Sequence, residues 1–290
     1  MKIKTLRAAL EWAKEREVAL GHFNTSDIAA FHGITKAAKE LGVPVIIGTS
    51  EGEAEFIDLN VAVSMVLDAR KELDHPIFLN ADHFRSLEKI KEAVVAGYDA
   101  VIFDVASEGL EENINKTKEA VGLVKRIDKD VFVEGELGYI GKSSKILEEV
   151  PEGAVVSGDA LPTVEEVKRF VEETGVDLVA PAVGNLHGMF KNTPNPELDI
   201  ELIRSIGKSI GVPMVLHGGS GISDEDFRSA IEAGIRIIHI NTELRVAWRK
   251  GIEGALEDKT QVAPYKVFPA SEEGVYEVVK DRLKLFNGML

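Results

Sequence analysis

Short apolar runs rich in Val and Ile recur along the chain, each bounded by Gly, Pro, Asn or Asp and separated by stretches of helical periodicity. Such runs read as strands of a parallel sheet covered on both faces, because a half-exposed strand would alternate apolar and polar residues. Eight are present: Val18–Asn24, Val43–Thr49, Pro76–Asp82, Asp99–Val105, Val131–Glu136, Val176–Val183, Val212–His217 and Ile235–Ile240. Between them, Ser86–Ala96 places Leu87, Ile90 and Val94 on one helical face and stops at Gly97. Thr163 and Ser223 each precede a carboxylate, Glu166 and Asp226, by three residues, a capping pattern that marks helix starts. Eight strand–helix alternations with no linker between halves predict an α/β chain of the (β/α)8 TIM-barrel type, one domain over residues 1–290.

Two segments depart from that rhythm. Gly138–Pro162 is weakly periodic, rich in Gly, Ser and Lys, and long for a barrel loop, which suits either an active-site lid or a tolerated surface insertion. The tail from Pro264 to Leu290 carries a further helical pattern over Gly274–Phe286, placed by expectation outside the barrel or on a second subunit.

Composition narrows the function. With 44% apolar and 29% charged residues the chain can build a core. No run approaches the roughly 20 apolar residues of a membrane span, and the opening MKIKTLRAALEWAKER is too charged for a signal peptide, so a cytoplasmic protein is expected. Cysteine is absent, which removes disulfides, thiolate nucleophiles and Cys-bound metals, and leaves His, Asp and Glu for any metal. Asp and Glu total 49 against 34 Lys and Arg, a formal charge of -15 that disfavours nucleic acid and anionic membrane and points to a small-molecule partner. An anionic ligand would then need backbone NH groups or a metal to hold it.

A barrel builds its site from the loops that follow the strands. The strand ends here carry Asn24, Ser50, Asp82 with His83, Asp104, Glu136, His187, His217, and His239 with Asn241. One strand-end histidine is an ordinary structural residue; four of the chain's seven, on four strands, should converge. Three neutral imidazoles with an open fourth position make a catalytic zinc site, and His83, His187 and His217 are read as its ligands. Asp104 and Glu136 end the intervening strands and suit either a second divalent cation or orientation of the histidines, with Glu134 a rival to Glu136 on the same strand face.

His217-Gly-Gly-Ser-Gly221 follows the seventh strand and leads into a capped helix, beside His239-Ile-Asn-Thr242 after the eighth; barrels commonly hold phosphate at this pair of loops. Metal, phosphate and carboxylate together suit carbanion chemistry beside a carbonyl or metal-assisted hydrolysis. None of the eight runs carries a lysine, so a strand-borne Schiff base has no candidate. A zinc hydrolase of the amidohydrolase type would show His-x-His after the first strand, where this chain has His22-Phe-Asn24.

From about residue 5 to 250 the chain resembles the class II, metal-dependent fructose-bisphosphate and tagatose-bisphosphate aldolases. The resemblance rests on Ala81-Asp82-His83, Glu134-Gly-Glu136-Leu-Gly138, Gly184-Asn-Leu-His187-Gly188, Leu216-His217-Gly-Gly-Ser-Gly221 and the stretch from Asn241. It implies a catalytic zinc on His83, His187 and His217, a second cation position at Asp104 and Glu136, and Asp82 as the acid/base at the substrate's C4 oxygen. Gly188, Gly218, Gly219, Ser220, His239, Asn241 and Thr242 would hold dihydroxyacetone phosphate, with Asn24 and Ser50 lining the same pocket. The implied reaction is reversible cleavage of a ketose 1,6-bisphosphate, fructose first and tagatose second, to dihydroxyacetone phosphate and an aldehyde through a zinc-stabilised enediolate, in a homo-oligomer of two or four chains. Asp82 shares a strand face with Asn80 and Phe78, so an inward Asp82 leaves His83 to reach the metal from beyond the strand end.

Several positions differ from the family pattern. His239 stands where an Asn is usual, Ile237 where Lys is frequent, and Val105-Ala106 follows Asp104. The segment after Gly138 lacks the usual Gly-Gly and acidic residues; Glu148 or Glu149 would serve only after a large rearrangement. A zinc hydrolase and a non-catalytic sugar-phosphate binder are the alternatives of other classes.

Overall fold

A computed structural model describes residues 3–141, 144–149, 158, 161–191 and 195–290. Its strands are β1 (Leu20–Asn24), β2 (Val45–Ser50), β3 (Ile77–Phe84), β4 (Ala100–Phe103), β5 (Phe132–Leu137), β6 (Ile146–Leu147), β7 (Leu178–Pro181), β8 (Met189–Phe190), β9 (Met214–Leu216) and β10 (Ile235–Ile240). All but β6 and β8 form one closed parallel barrel in the order β1-β2-β3-β4-β5-β7-β9-β10 and back to β1. Every run predicted from the apolar pattern supplies one barrel strand, with ends shifted by at most two residues.

Helices cover the outside of this barrel, as its two-sided apolar strands require. Helix α5 (Leu87–Ala96) has Ser86 as N-cap and ends on Gly97 in the left-handed region, as its sequence predicts. At α7 (Val164–Thr174) the Thr163–Glu166 box closes in both directions. At α9 (Asp224–Ala233) Ser223 accepts from the Asp226 N–H, the forward half of that pattern. The tail is one helix, α11 (Pro264–Phe286), ten residues longer at its start than the Gly274–Phe286 pattern. It packs outside the barrel, burying Val275, Val279, Leu283 and Phe286 in the strand–helix core.

The opening helix α1 (Leu6–Glu15) closes the bottom of the barrel. Its buried stripe of Leu6, Ala9, Leu10 and Ala13 meets inward residues of the lower strand ends, among them Leu20, Ile46, Phe78, Phe132 and Ile237. Ile237, at the position where the family frequently has Lys, therefore belongs to an apolar floor well below the mouth. Above this floor the inward positions turn polar, with His22, Asn80, Glu134, His217 and His239 all buried.

One histidine outside the mouth makes a stability prediction. The buried His75 donates from Nε2 to the Val43 carbonyl at 2.8 Å, and burial pulls its pKa below the ordinary value. The unfolded chain therefore takes up this proton first as pH falls through about 6.5, and the folded state loses stability below that point. In urea titrations of the metal-loaded protein between pH 7 and 5, His75→Gln is expected to show a shallower acid decline than the parent.

Candidate metal and substrate site

The barrel mouth gathers the strand-end residues. Asp82 lies on β3, Glu136 on β5, His217 directly after β9, Asp104 directly after β4, and Asn241 directly after β10. His83 is in the left-handed region at φ 55°, where β3 changes register against β4 between Ala81 and Phe84. Such a conformation costs a side-chain-bearing residue about 1–3 kcal/mol. Its effect is to turn consecutive residues, Asp82 and His83, toward the same mouth, which a regular strand would send to opposite faces. His187 lies six residues beyond β7 in a pinned loop. Its N–H donates to the Ile140 carbonyl at 2.9 Å, and Asn185 bridges the Val183 N–H and the His217 carbonyl at 2.8 and 2.9 Å.

Donor atoms of His83, Glu136, His187 and His217 lie within 4.8 Å of one another. Glu136 Oε2 is 3.1 Å from His217 Nδ1 and 3.4 Å from His83 Nδ1. Asp104 stands one step out, 3.2 Å from His83 Nδ1 and beside Arg85. The two β5 glutamates meet His217 on different ring nitrogens: Glu134 accepts from Nε2 at 2.5 Å, and Glu136 faces Nδ1 at 3.1 Å.

The charges have one consistent cause. Burial would lower the pKa of His217, but Glu134 and Glu136 hold it well above its ordinary value. Burial likewise opposes His83, yet Asp82, Asp104 and Glu136 raise it to about 9. His187 is held well below by burial and by its two histidine neighbours. Burial would raise Asp82 and Asp104, but His83, His239 and His22 together around Asp82, and His83 with Arg85 and the Ala106 N–H around Asp104, outweigh it and both carboxyls sit below their usual range. Carboxylates thus outnumber cations here, and protons on His83 and His217 fill a place that a divalent ion fills better. The donor set of three imidazoles and one carboxylate suits zinc, and His83 Nε2 is buried without a hydrogen-bond partner. Donor atoms of His22, Asp82 and His239 also approach one another, but those two rings are stacked 3.5 Å apart within 6° of parallel, so their in-plane lone pairs cannot meet on one ion.

Glu134 therefore fixes the ring that Glu136 and the other histidines share. Glu134→Gln is expected to weaken metal binding about 10- to 100-fold, measured by competition with a chromogenic chelator, with little change in fold.

A cavity of about 290 Å3 opens over this centre, lined by Asn24, Ser50, Asp82, Gly188, Ser220 and His239 among others. Gly218, Asn241 and Thr242 line it too, whereas Gly219 lies behind it, its N–H given to the His239 carbonyl at 3.0 Å. Gly218 has φ 61°, and a Cβ there would stand 2.2 Å from the Leu186 carbonyl oxygen. Ser220 Oγ accepts from the N–H groups of Asn241 and Glu243 at 3.3 and 3.2 Å, joining its loop to the start of α10 (Thr242–Ala255). Asn195 donates to the Gly188 and Ser220 carbonyls at 3.1 and 3.0 Å, locking the two glycine-bearing loops together.

Asp82 is oriented by the Asn24 amide, which donates to Asp82 Oδ2 at 2.8 Å and to Glu53 Oε2 at 2.9 Å. Glu53 also takes the guanidinium of Arg245 at 2.7 Å. Sequence reasoning missed Glu53, Arg245, Arg85 and Asn195. A Ser50–Glu53 capping box was the available signal for Glu53, since it closes fully at the start of α3 (Glu51–Ile57). Of the Gly138–Pro162 segment, β6 pairs in parallel with β8, and Glu148 and Glu149 are exposed; 142–143, 150–157 and 159–160 lie outside the described residues.

The sequence profile described as "Fructose-bisphosphate aldolase class-II" matches residues 4–289. A fructose-bisphosphate aldolase of Staphylococcus aureus is 34% identical over 99% of this chain and 98% of its own. Among solved structures, the YdjI aldolase of Escherichia coli K12 superposes with a TM-score of 0.81 at 29% identity, covering 98% of this chain and 97% of that one. A fructose-bisphosphate aldolase of Campylobacter jejuni gives 0.77 at 21% identity over 97% and 94%, a likeness of fold.

Proposed function

The chain belongs to the class II fructose-bisphosphate aldolase family, metal-dependent carbon–carbon lyases, and from that premise we propose that it reversibly cleaves fructose 1,6-bisphosphate to dihydroxyacetone phosphate and glyceraldehyde 3-phosphate, with zinc as its metal. The observation that carries this reading is the placement of Asp82, its Oδ1 3.8 Å from His83 Nε2 at the edge of the three-histidine donor group and its Oδ2 fixed by Asn24.

When bound by His83, His187 and His217, a divalent ion supplies Lewis-acid polarisation of the substrate ketone. Asp82, held as carboxylate, takes the C4 hydroxyl proton as the C3–C4 bond breaks; the C4 oxygen becomes the aldehyde carbonyl and the bonding pair passes toward the ketone. Glu136 and Asp104 keep His83 and His217 oriented and stand nearest to a second cation position. Gly188, Gly218, Ser220, Asn241 and Thr242 surround the end of the cavity where loop amides and the α10 N-terminus suit a phosphate. Gly219 shapes that loop from behind, and Ser50 lines the opposite wall.

The same reading takes the chain as one barrel domain, residues 1–290 with an outer extension at about 264–290, working in the cytoplasm in glycolytic chemistry as a homo-oligomer. Exposed Phe56, Val61 and Leu67 support a subunit contact. No helix among the described residues is long and apolar enough to cross a membrane.

The test is triose phosphate release from fructose 1,6-bisphosphate before and after chelation, with a parallel arm of borohydride plus dihydroxyacetone phosphate. Chelation should abolish release, zinc should restore it, and borohydride should leave the enzyme active. Borohydride inactivation would reject the metal mechanism. Inorganic phosphate without aldehyde would indicate a hydrolase, and ketose phosphate binding without C3 proton exchange a non-catalytic binder. Triose phosphate from the tagatose isomer alone would move the substrate assignment.

A further inference from the structure

His22 is a fully buried titratable group that the chemistry above does not use. It points into the barrel one layer below Asn24, in a place where an apolar side chain would need no polar partner. Burying an imidazole is favourable only when its nitrogens are provided for, so its presence calls for a cause.

The surroundings hold the ring in one pose. His22 on β1 and His239 on β10 are register partners, and their rings stack at 3.5 Å within 6° of parallel. Asn80 Nδ2 stands 3.1 Å from His22 Nε2, the one ring nitrogen with a hydrogen-bond partner, while Nδ1 is buried without one. On β2, Gly48 leaves the space the ring occupies, since a Cβ there would stand 2.2 Å from His22 Cε1. His239 passes the constraint upward: its Nδ1 faces Asp82 Oδ1 at 3.5 Å, and its ring lies 4.4 Å from that of His217. Burial keeps both stacked rings neutral, His239 being pulled down to about 3, so no charge repulsion opposes the stack.

We infer that His22 is a positioning residue for the cleavage reaction: wedged beside Gly48 and held by Asn80, its ring fixes the plane of His239, and His239 keeps Asp82 aimed at the C4 hydroxyl. This rests on Asp82 being the proton acceptor proposed above. Small displacements of a reacting group are costly, about 100-fold in rate for 1 Å, so a residue that touches no substrate can still set kcat.

Two substitutions separate the ring from the hydrogen bond. His22→Phe keeps a flat ring against His239 but gives Asn80 no acceptor; it should lower Tm while kcat stays within about threefold of the parent. His22→Gln keeps an acceptor for Asn80 but no stack; Tm should hold, while kcat falls roughly 10- to 100-fold with KM and zinc content little changed. Gly48→Ala, whose methyl would occupy the space of the ring, should lower kcat as His22→Gln does, with a fall in Tm from the overpacking. In the zinc-loaded protein, the His239 ring nitrogen NMR shifts should move in His22→Gln and stay in His22→Phe. Loss of kcat in step with Tm across the pair, or unmoved His239 shifts in His22→Gln, would overturn the inference. Asp82→Asn separates the two claims. Near-parental turnover by it rejects the acid/base reading, whereas its inactivity beside an unaffected His22→Gln rejects only the positioning role.

Discussion

His217→Ala is expected to lose its metal and its activity together. In the parent, His217 is buried between two carboxylates, with Glu134 on Nε2 and Glu136 facing Nδ1. Removing the ring deletes one of three imidazole donors and leaves both glutamates without their shared partner. Lewis-acid stabilisation is worth several kcal/mol, so its loss should reduce kcat by about 1,000-fold or more. Uncompensated buried charge should also cost the fold about 3–5 kcal/mol. Metal analysis after dialysis, steady-state kinetics and a denaturant titration read the three effects. Near-stoichiometric zinc in the dialysed variant, or kcat within tenfold of the parent, would contradict the ligand assignment.

Asp82→Asn should separate metal binding from proton transfer. The amide has the size of the carboxylate and can still meet Asn24 through its oxygen, so the mouth should keep its shape. It cannot accept the C4 hydroxyl proton at neutral pH. A positioned general base contributes about 100- to 10,000-fold, and kcat should fall within that range while zinc content and dihydroxyacetone phosphate affinity hold. Equal loss of zinc would make Asp82 a structural support of the metal site instead.

Much of this organisation is legible in the sequence, for physical reasons. Strands covered on both faces must be apolar throughout, so a polar residue at the end of each run stands out, as Asp82, Asp104, Glu136 and His217 do. His187 lies in the loop beyond β7, and its place depends on Asn185 and on the Ile140 carbonyl, contacts without a local sequence signal. The bulge at His83 was also hidden, because alternation along β3 would place His83 outward and only its positive φ turns it back. Glu134 and Glu136 share a strand face, and no parity argument could decide that one grips His217 from behind while the other joins the donors. Arg245 reaches Glu53 across 192 residues of sequence, a pairing set by barrel closure. His22 gives no signal in the sequence beyond the missing second histidine of a His-x-His pair, since its stacked neighbour, His239, is brought beside it only by barrel closure.

Anomalous diffraction at the zinc edge, from crystals of the zinc-loaded protein, tests the central claim most directly. A single strong peak is expected about 2.0–2.1 Å from one nitrogen each of His83, His187 and His217, beside the Asp82 carboxylate. A peak held by other residues, or no peak in crystals of a protein that still releases triose phosphate in the presence of chelator, would contradict it.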